Sequence, residues 1–164
     1  MCTEYENTVF LTDILLACDA FYAGVGILKA AIDPQTQRAN RKGVVVLGVV
    51  EGDIHDLGKN MVKYLMEAEG FEVHDLGFNV KAEKFVEMAK QTNADIIMIS
   101  LMLSSMFPEI SKIVQLAKEK GIGAKIMAGG GPVTEEIAQK FGADGWALTA
   151  PLAVKQALKI LKKK

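Results

Sequence analysis

The sequence of 164 residues predicts an α/β fold, a doubly wound, five-stranded parallel sheet. Two observations carry this prediction. From residue 43 onward, short apolar runs alternate regularly with amphipathic stretches, which is typical of repeated strand–helix units. Runs such as VVVLGVV and DIIMIS are apolar at nearly every position, as expected of strands that helices cover on both faces.

The expected elements follow one another in regular order. We expect strands at 44–50, 72–76, 95–101, 125–128 and 145–148, and helices at 58–69, 81–91, 106–120, 134–141 and 152–161. Five strands with these connections suit a flavodoxin-like arrangement.

A further helix is predicted before this region, at residues 9–32. Apolar residues recur there at steps of three and four, and Asp33 with Pro34 ends the helix. The polar residues 35–42 indicate a linker. Asp13 and Asp19 would be costly inside a bilayer, so we interpret this stretch as a packed helix. We therefore expect a helical segment with its linker at 1–42 and an α/β domain at 43–164.

The composition excludes some classes of function. Lys and Arg total 19 against 20 acidic residues, and no basic stretch is interleaved with aromatic residues, which argues against nucleic-acid binding. The first ten residues carry acids where a secretion signal would be basic. Cys2 and Cys18 form neither a disulfide framework nor a zinc pattern. We expect a cytoplasmic protein that binds no membrane.

Three unusual features follow neighbouring strands of the predicted sheet. Residues 51–60 (EGDIHDLGKN) come after the first strand, Ser100 ends the third, and a run of three glycines, Gly129 to Gly131, follows the fourth. In such sheets, ligands bind outside the carboxyl ends of the strands, where the strand order reverses. We expect these features to meet at one edge.

Two common uses of this edge are not favoured. The loop at 51–60 has neither the Gly-x-Gly-x-x-Gly nor the Gly-x-x-x-x-Gly-Lys pattern that binds nucleotide phosphates. The third strand ends in Ser100, whereas a response regulator would have an acidic phosphoacceptor there.

The remaining signal is one histidine, His55, beside Asp53 and Asp56. Neutral imidazole binds transition metals, and a carboxylate on its other nitrogen fixes the tautomer. No second histidine or cysteine lies nearby, and His74 falls inside the second strand, so a conventional three- or four-ligand site cannot be assembled. The metal would have to bring its other ligands, as in a tetrapyrrole-like macrocycle.

The pattern Asp53-x-His55-x-x-Gly58, with Ser100 and the pair Gly129–Gly130, resembles the cobalamin-binding domain of methyltransferase corrinoid proteins and methionine synthase. The runs GDIHDLGKN, GGGPVT and GADGWA are most similar to the small corrinoid proteins of methanol, methylamine and methoxylated-aromatic methyltransferases. The resemblance covers about residues 43–164. The preceding helix resembles the end of the helical cap that this family carries.

The resemblance implies that the chain binds cobalamin or a related corrinoid in the base-off, histidine-on mode. His55 would be the lower axial ligand to cobalt, Asp53 would accept the other imidazole proton, and Ser100 would hydrogen-bond that carboxylate. Glycines would leave room for the displaced nucleotide tail, and Ser104 or Ser105 would add a hydrogen bond. The implied cofactor-binding residues are Asp53, Ile54, His55, Asp56, Leu57, Gly58, Ser100, Met102, Ser104, Gly129, Gly130 and Gly131. For Asp56, capping of the following helix is a competing interpretation.

Three positions depart from the family pattern. Met102 replaces a leucine, a volume-conserving change, while Trp146 and Thr149 stand where tyrosine and aspartate are common.

The implied function is that of a methyl carrier and not of a stand-alone catalyst. A substrate-specific methyltransferase would methylate cobalt, and a second methyltransferase would pass the methyl group to a thiol or folate-type acceptor. A corrinoid-reactivating protein is a further expected partner. Two alternatives stay open: the cobalamin-binding subunit of a mutase, which would need a substrate barrel from a partner, and a cobalamin-dependent sensor, which would need a DNA-binding module.

Overall fold

The computed structural model describes residues 11–31 and 41–162. Cys2 and most of the predicted linker lie outside the described residues. The chain divides into two units between Asn40 and Arg41. As a statement about separate domains, the predicted division into 1–42 and 43–164 stays a prediction.

The first unit contains one described helix, α1 (Leu11–Ala31), as the three- and four-residue spacing predicted. Leu16 and Ile27 on this helix are exposed. Within the described residues, no helix is both long and apolar enough to cross a membrane.

All five predicted strands form in the second unit. They are β1 (Gly43–Val49), β2 (Phe71–Asp75), β3 (Ile96–Ser100), β4 (Lys125–Gly129) and β5 (Gly145–Trp146). Their order in the sheet is β2-β1-β3-β4-β5, and every neighbouring pair is parallel. The predicted doubly wound fold is confirmed. β5 is shorter than expected, since it ends at Trp146.

The predicted helices of this unit form as well. They are α2 (Leu57–Ala68), α3 (Ala82–Thr92), α4 (Phe107–Glu119), α5 (Glu135–Lys140) and α6 (Ala150–Lys162), with a short 3₁₀ turn at Ser104–Met106.

Two apolar clusters hold the helices on opposite faces of the sheet. Side chains of α3, α4 and α5, among them Phe85 and Ile110, pack with one set of strand residues. Met66 of α2 and Ala157 of α6 pack with the other set. Full burial of a side chain such as Ile110 stabilises the fold by about 1.5–3 kcal/mol. The apolar side chains on both faces therefore stabilise the parallel sheet.

A glycine inside β1 sets how closely α3 approaches the sheet. A Cβ atom on Gly48 would lie 2.8 Å from the Phe85 ring. The fully buried Phe85 therefore packs directly on the strand backbone.

Candidate functional site

The carboxyl ends of β1, β3 and β4 bring the three predicted features together. Val49 is paired with Ser100, and Ser100 with Gly129, so the ends of the strands are level. Val50 then donates its N–H to the Ser100 carbonyl at 3.1 Å. The loop with His55 follows β1, and the glycine run follows β4. The predicted meeting of these features at one edge is confirmed.

Asp53 and His55 form a hydrogen-bonded pair in the loop after β1. Asp53 is 1% exposed, and its Oδ1 accepts the His55 backbone N–H at 3.0 Å. The same oxygen lies 2.7 Å from Nδ1 of the His55 ring. With the proton on Nδ1, Nε2 keeps its lone pair. The His55 side chain is 56% exposed, so the ring is accessible to a ligand.

The second oxygen of Asp53 faces the end of β3. Oδ2 accepts the backbone N–H of Met102 at 2.5 Å. A Ser100 hydroxyl bond to this carboxylate is not among the hydrogen bonds of residues 41–162, so the relay through Ser100 stays a prediction.

The environment keeps Asp53 ionised. Burial alone raises the pKa of Asp53, but hydrogen bonds from the His55 and Met102 amides and from the imidazole outweigh it, so the pKa lies below its ordinary value of 3.8. An ionised Asp53 accepts hydrogen bonds and cannot donate one, which orients the His55 ring with its Nδ1 proton inward.

A residue that sequence analysis missed, Asn79, holds the start of this loop. Its Oδ1 accepts the Gly52 N–H at 2.9 Å, and its own N–H donates to the Asp53 carbonyl at 3.0 Å. Asn79 has a φ of 54°, a left-handed conformation that asparagine tolerates well. The Gly77-x-Asn79 pattern after a strand is a turn signal and could have pointed to it.

The start of α2 differs from the expectation for Asp56. Asp56 precedes the helix, but its side chain makes no capping hydrogen bond. Its Oδ2 accepts the side-chain amide of Asn60 at 3.1 Å. The capping interpretation is therefore wrong. Leu57 begins the helix, and a Cβ atom on Gly58 would meet no protein atom within 4 Å. The helix start is open on the Gly58 side.

The glycine run after β4 has two kinds of position. Gly130 has a φ of 127°, and a Cβ atom on it would lie 1.7 Å from the Leu101 carbonyl oxygen, so the fold itself requires glycine there. On Gly129, a Cβ atom would meet only the Ala147 carbonyl oxygen, at 3.6 Å. Gly129 therefore leaves space that the protein does not need for its own packing. Beside Gly131 the nearest atom to an added Cβ is Sδ of Met102, at 2.9 Å.

Two residues that depart from the family pattern support neighbouring turns. Nε1 of Trp146 donates to the Val133 carbonyl at 2.6 Å, which joins β5 to the segment just after the glycine run. Oγ1 of Thr149 accepts the Leu152 N–H at 3.4 Å at the start of α6.

Exposed apolar side chains follow the strand ends at the edge of the sheet that carries the His55 loop. In residues 41–162, the large apolar side chains that are exposed follow strands β1, β2, β3 and β5 or lie early in α6; they are Ile54, Phe78, Met102, Leu103, Leu148 and Leu152. Ser104 is exposed in the same region. Apolar side chains gathered at one edge favour a bulky apolar ligand there.

The residues present fit a cobalt corrinoid. One imidazole, oriented by a buried carboxylate, offers a nitrogen ligand, and the space beside Gly58 and Gly129 is open. Among the described residues no group of three His, Cys, Asp or Glu side chains could hold a metal ion alone.

Comparison with known proteins decides the family. A model described as "B12 binding domain" matches residues 43–155. The chain belongs to this family. It is similar to "Dimethylamine corrinoid protein 1" of Methanosarcina acetivorans, with 41% identity over 95% of this chain and 74% of that protein.

Similarity to solved structures agrees with this family. A cobalamin-binding protein from Desulfitobacterium hafniense aligns with a TM-score of 0.73 and 32% identity over 93% of this chain and 71% of that one. A chain of the methanol:cobalamin methyltransferase complex from Methanosarcina barkeri aligns with a TM-score of 0.73 and 28% identity over 95% of this chain and 59% of that one. The likeness to corrinoid proteins noted in the sequence is confirmed.

Proposed function

We propose that this protein carries methyl groups on the cobalt of a bound corrinoid, between a substrate-specific methyltransferase and a second methyltransferase. The observation that carries the proposal is the Asp53–His55 pair, which presents an oriented imidazole at the carboxyl edge of a B12-binding fold. Relatives named as dimethylamine corrinoid proteins and a matching chain in a methanol:cobalamin methyltransferase complex support methyl transfer over a mutase or sensor role.

When bound, the corrinoid supplies a cobalt centre that accepts a methyl group and gives it up. His55 would hold that centre through Nε2, because Asp53 binds the proton on Nδ1 and leaves Nε2 with its lone pair. The open positions beside Gly58 and Gly129 would admit the displaced nucleotide tail of the corrinoid. Ser100 ends β3, which lies between β1, followed by the His55 loop, and β4, followed by the glycine run.

The partner enzymes hold the methyl donor and acceptor. The first methyltransferase supplies the methyl group, and the second passes it to a thiol or folate-type acceptor. A corrinoid-reactivating protein is a further proposed partner. A cytoplasmic location stays a prediction from the sequence.

The absorption spectrum after reconstitution with hydroxocobalamin tests the proposal. His55→Ala should alter the bands that report axial ligation, because it removes the imidazole. His74→Ala is the matched control, since His74 lies in β2 and pairs with Glu72 at 2.8 Å; it should leave the spectrum unchanged. A wild-type protein that retains no corrinoid after desalting, or a His55→Ala spectrum equal to that of the wild type, would contradict the proposal.

A further inference from the structure

A buried lysine lies in the first turn of the helix that follows His55. The Lys59 side chain is 1% exposed, and its Nζ donates to Oδ1 of Asp75 at 2.6 Å. A buried ammonium group is costly unless it is paired. Neither Lys59 nor Asp75 takes part in the function proposed above.

Asp75 connects this helix to the turn after β2. Besides Lys59, its Oδ1 accepts the Gly77 N–H at 2.9 Å, and its Oδ2 accepts from Nζ of Lys63 at 3.0 Å. The carboxylate thus joins two successive turns of α2 to the backbone that leaves the sheet.

The same turn also holds the beginning of the His55 loop. Asn79 accepts the Gly52 N–H and donates its own N–H to the Asp53 carbonyl. The segment Asp75–Asn79, which we call the brace, therefore contacts the chain on both sides of His55. Asn79 of the brace binds the start of the loop, and Asp75 of the brace binds Lys59 in the helix after the loop.

We propose that Lys59, Asp75 and Asn79 are positioning residues that hold His55 ready to ligate the corrinoid. This inference rests on the proposed function. A ligand loop that is fixed at both ends loses little conformational freedom on binding, which favours ligation by the histidine. Releasing either end of the loop shifts bound corrinoid toward the state without histidine ligation.

Hydrogen–deuterium exchange of the protein without corrinoid tests the brace first. Lys59→Met removes the buried cation, and Asn79→Gly removes the side-chain acceptor while it tolerates the left-handed backbone. Amides of residues 51–58 should exchange more than about tenfold faster in both variants, because losing one partner of a buried pair or hydrogen bond is costly. Lys125→Met, which breaks the exposed pair with Asp144 at 2.9 Å, is the control and should leave residues 51–58 unchanged.

The second measurement is the spectrum after loading with hydroxocobalamin. The fraction with histidine ligation should fall in Lys59→Met and Asn79→Gly and should return in Asn79→Asp, which keeps an acceptor for the Gly52 N–H. If Lys59→Met does not fold, Asn79→Gly with its Asp rescue decides. Unchanged exchange at 51–58, a rise shared equally by β3 and β4, or a faster loop with an unchanged spectrum would each overturn the proposal. If the wild type binds no corrinoid, the proposed function fails, while the exchange comparison still reports on the brace.

Discussion

Gly130 and Gly129 of the glycine run differ in whether the fold itself requires a glycine. An alanine at Gly130 would combine a φ of 127° with a contact of 1.7 Å to the Leu101 carbonyl oxygen. We expect Gly130→Ala to lower the free energy of unfolding by more than about 2 kcal/mol. Gly129→Ala should unfold like the wild type, since its Cβ meets only an ordinary contact. Urea denaturation of both variants without corrinoid measures the difference.

Gly129→Ala also tests where the nucleotide tail lies. If the space beside Gly129 admits the tail, Gly129→Ala should retain less corrinoid after desalting although its stability is unchanged. Equal retention by Gly129→Ala and the wild type would exclude this position from the tail site.

At this scale, local spacing determined how much could be predicted. Asp53 and His55 are two residues apart, so their pairing followed directly from the sequence. The Met102 amide that binds the same carboxylate lies 49 residues further along the chain. That contact depends on the register of β1 and β3, which the sequence pattern alone does not specify.

At the scale of elements, α2 and β2 are joined by the ion pairs of Asp75 with Lys59 and Lys63, and this predicts a pH dependence of stability. Burial raises the pKa of Asp75, but hydrogen bonds from Lys59, the Gly77 amide and Lys63, with the charge of Lys59, outweigh it. The pKa therefore lies below its ordinary value of 3.8. The stability that Asp75 contributes is complete above that value and is lost as the pH falls through the folded-state pKa.

Asp75→Asn isolates this contribution. Near neutral pH the variant should be less stable by about 3 kcal/mol, since it leaves a buried lysine without its carboxylate. The difference should shrink as the pH falls below about 4 toward the folded-state pKa, because the carboxyl of the unfolded wild-type chain takes up its proton before that of the folded chain. Urea denaturation of both proteins between about pH 3 and pH 7 checks this. A constant difference across the range would show that the carboxylate charge is not the cause.

Periodicity predicted the elements well because buried strands and amphipathic helices carry strong patterns. The contacts made by the turns between these elements were harder to predict from the sequence. Asn79 and the Lys59–Asp75 pair went unnoticed, since each acts on a partner 16 or more residues away. The predicted cap at Asp56 was wrong for a different reason: its side chain binds the side-chain amide of Asn60 instead of the helix end.

At the scale of the whole molecule, the proposed site and the core belong to the same unit. In the described part of the chain, both apolar clusters consist of residues between Val44 and Leu161, and the strands lie between Gly43 and Trp146. The residues just before β1 also contribute contacts to β2 and its neighbourhood. Arg41 pairs with Glu72 at 2.6 Å, and the Lys42 N–H donates to the Gly70 carbonyl at 2.9 Å.

We therefore expect a chain that begins at Arg41 to fold by itself. Both described apolar clusters lie within it, so it should unfold cooperatively in urea. Because Asp53, His55 and the brace lie in this unit, the shortened chain should also take up hydroxocobalamin and show the histidine-ligated spectrum. A shortened chain that folds but loses corrinoid on desalting would show that residues before Arg41 contribute to retention. Failure of the shortened chain to fold would contradict the predicted division of the protein into two domains.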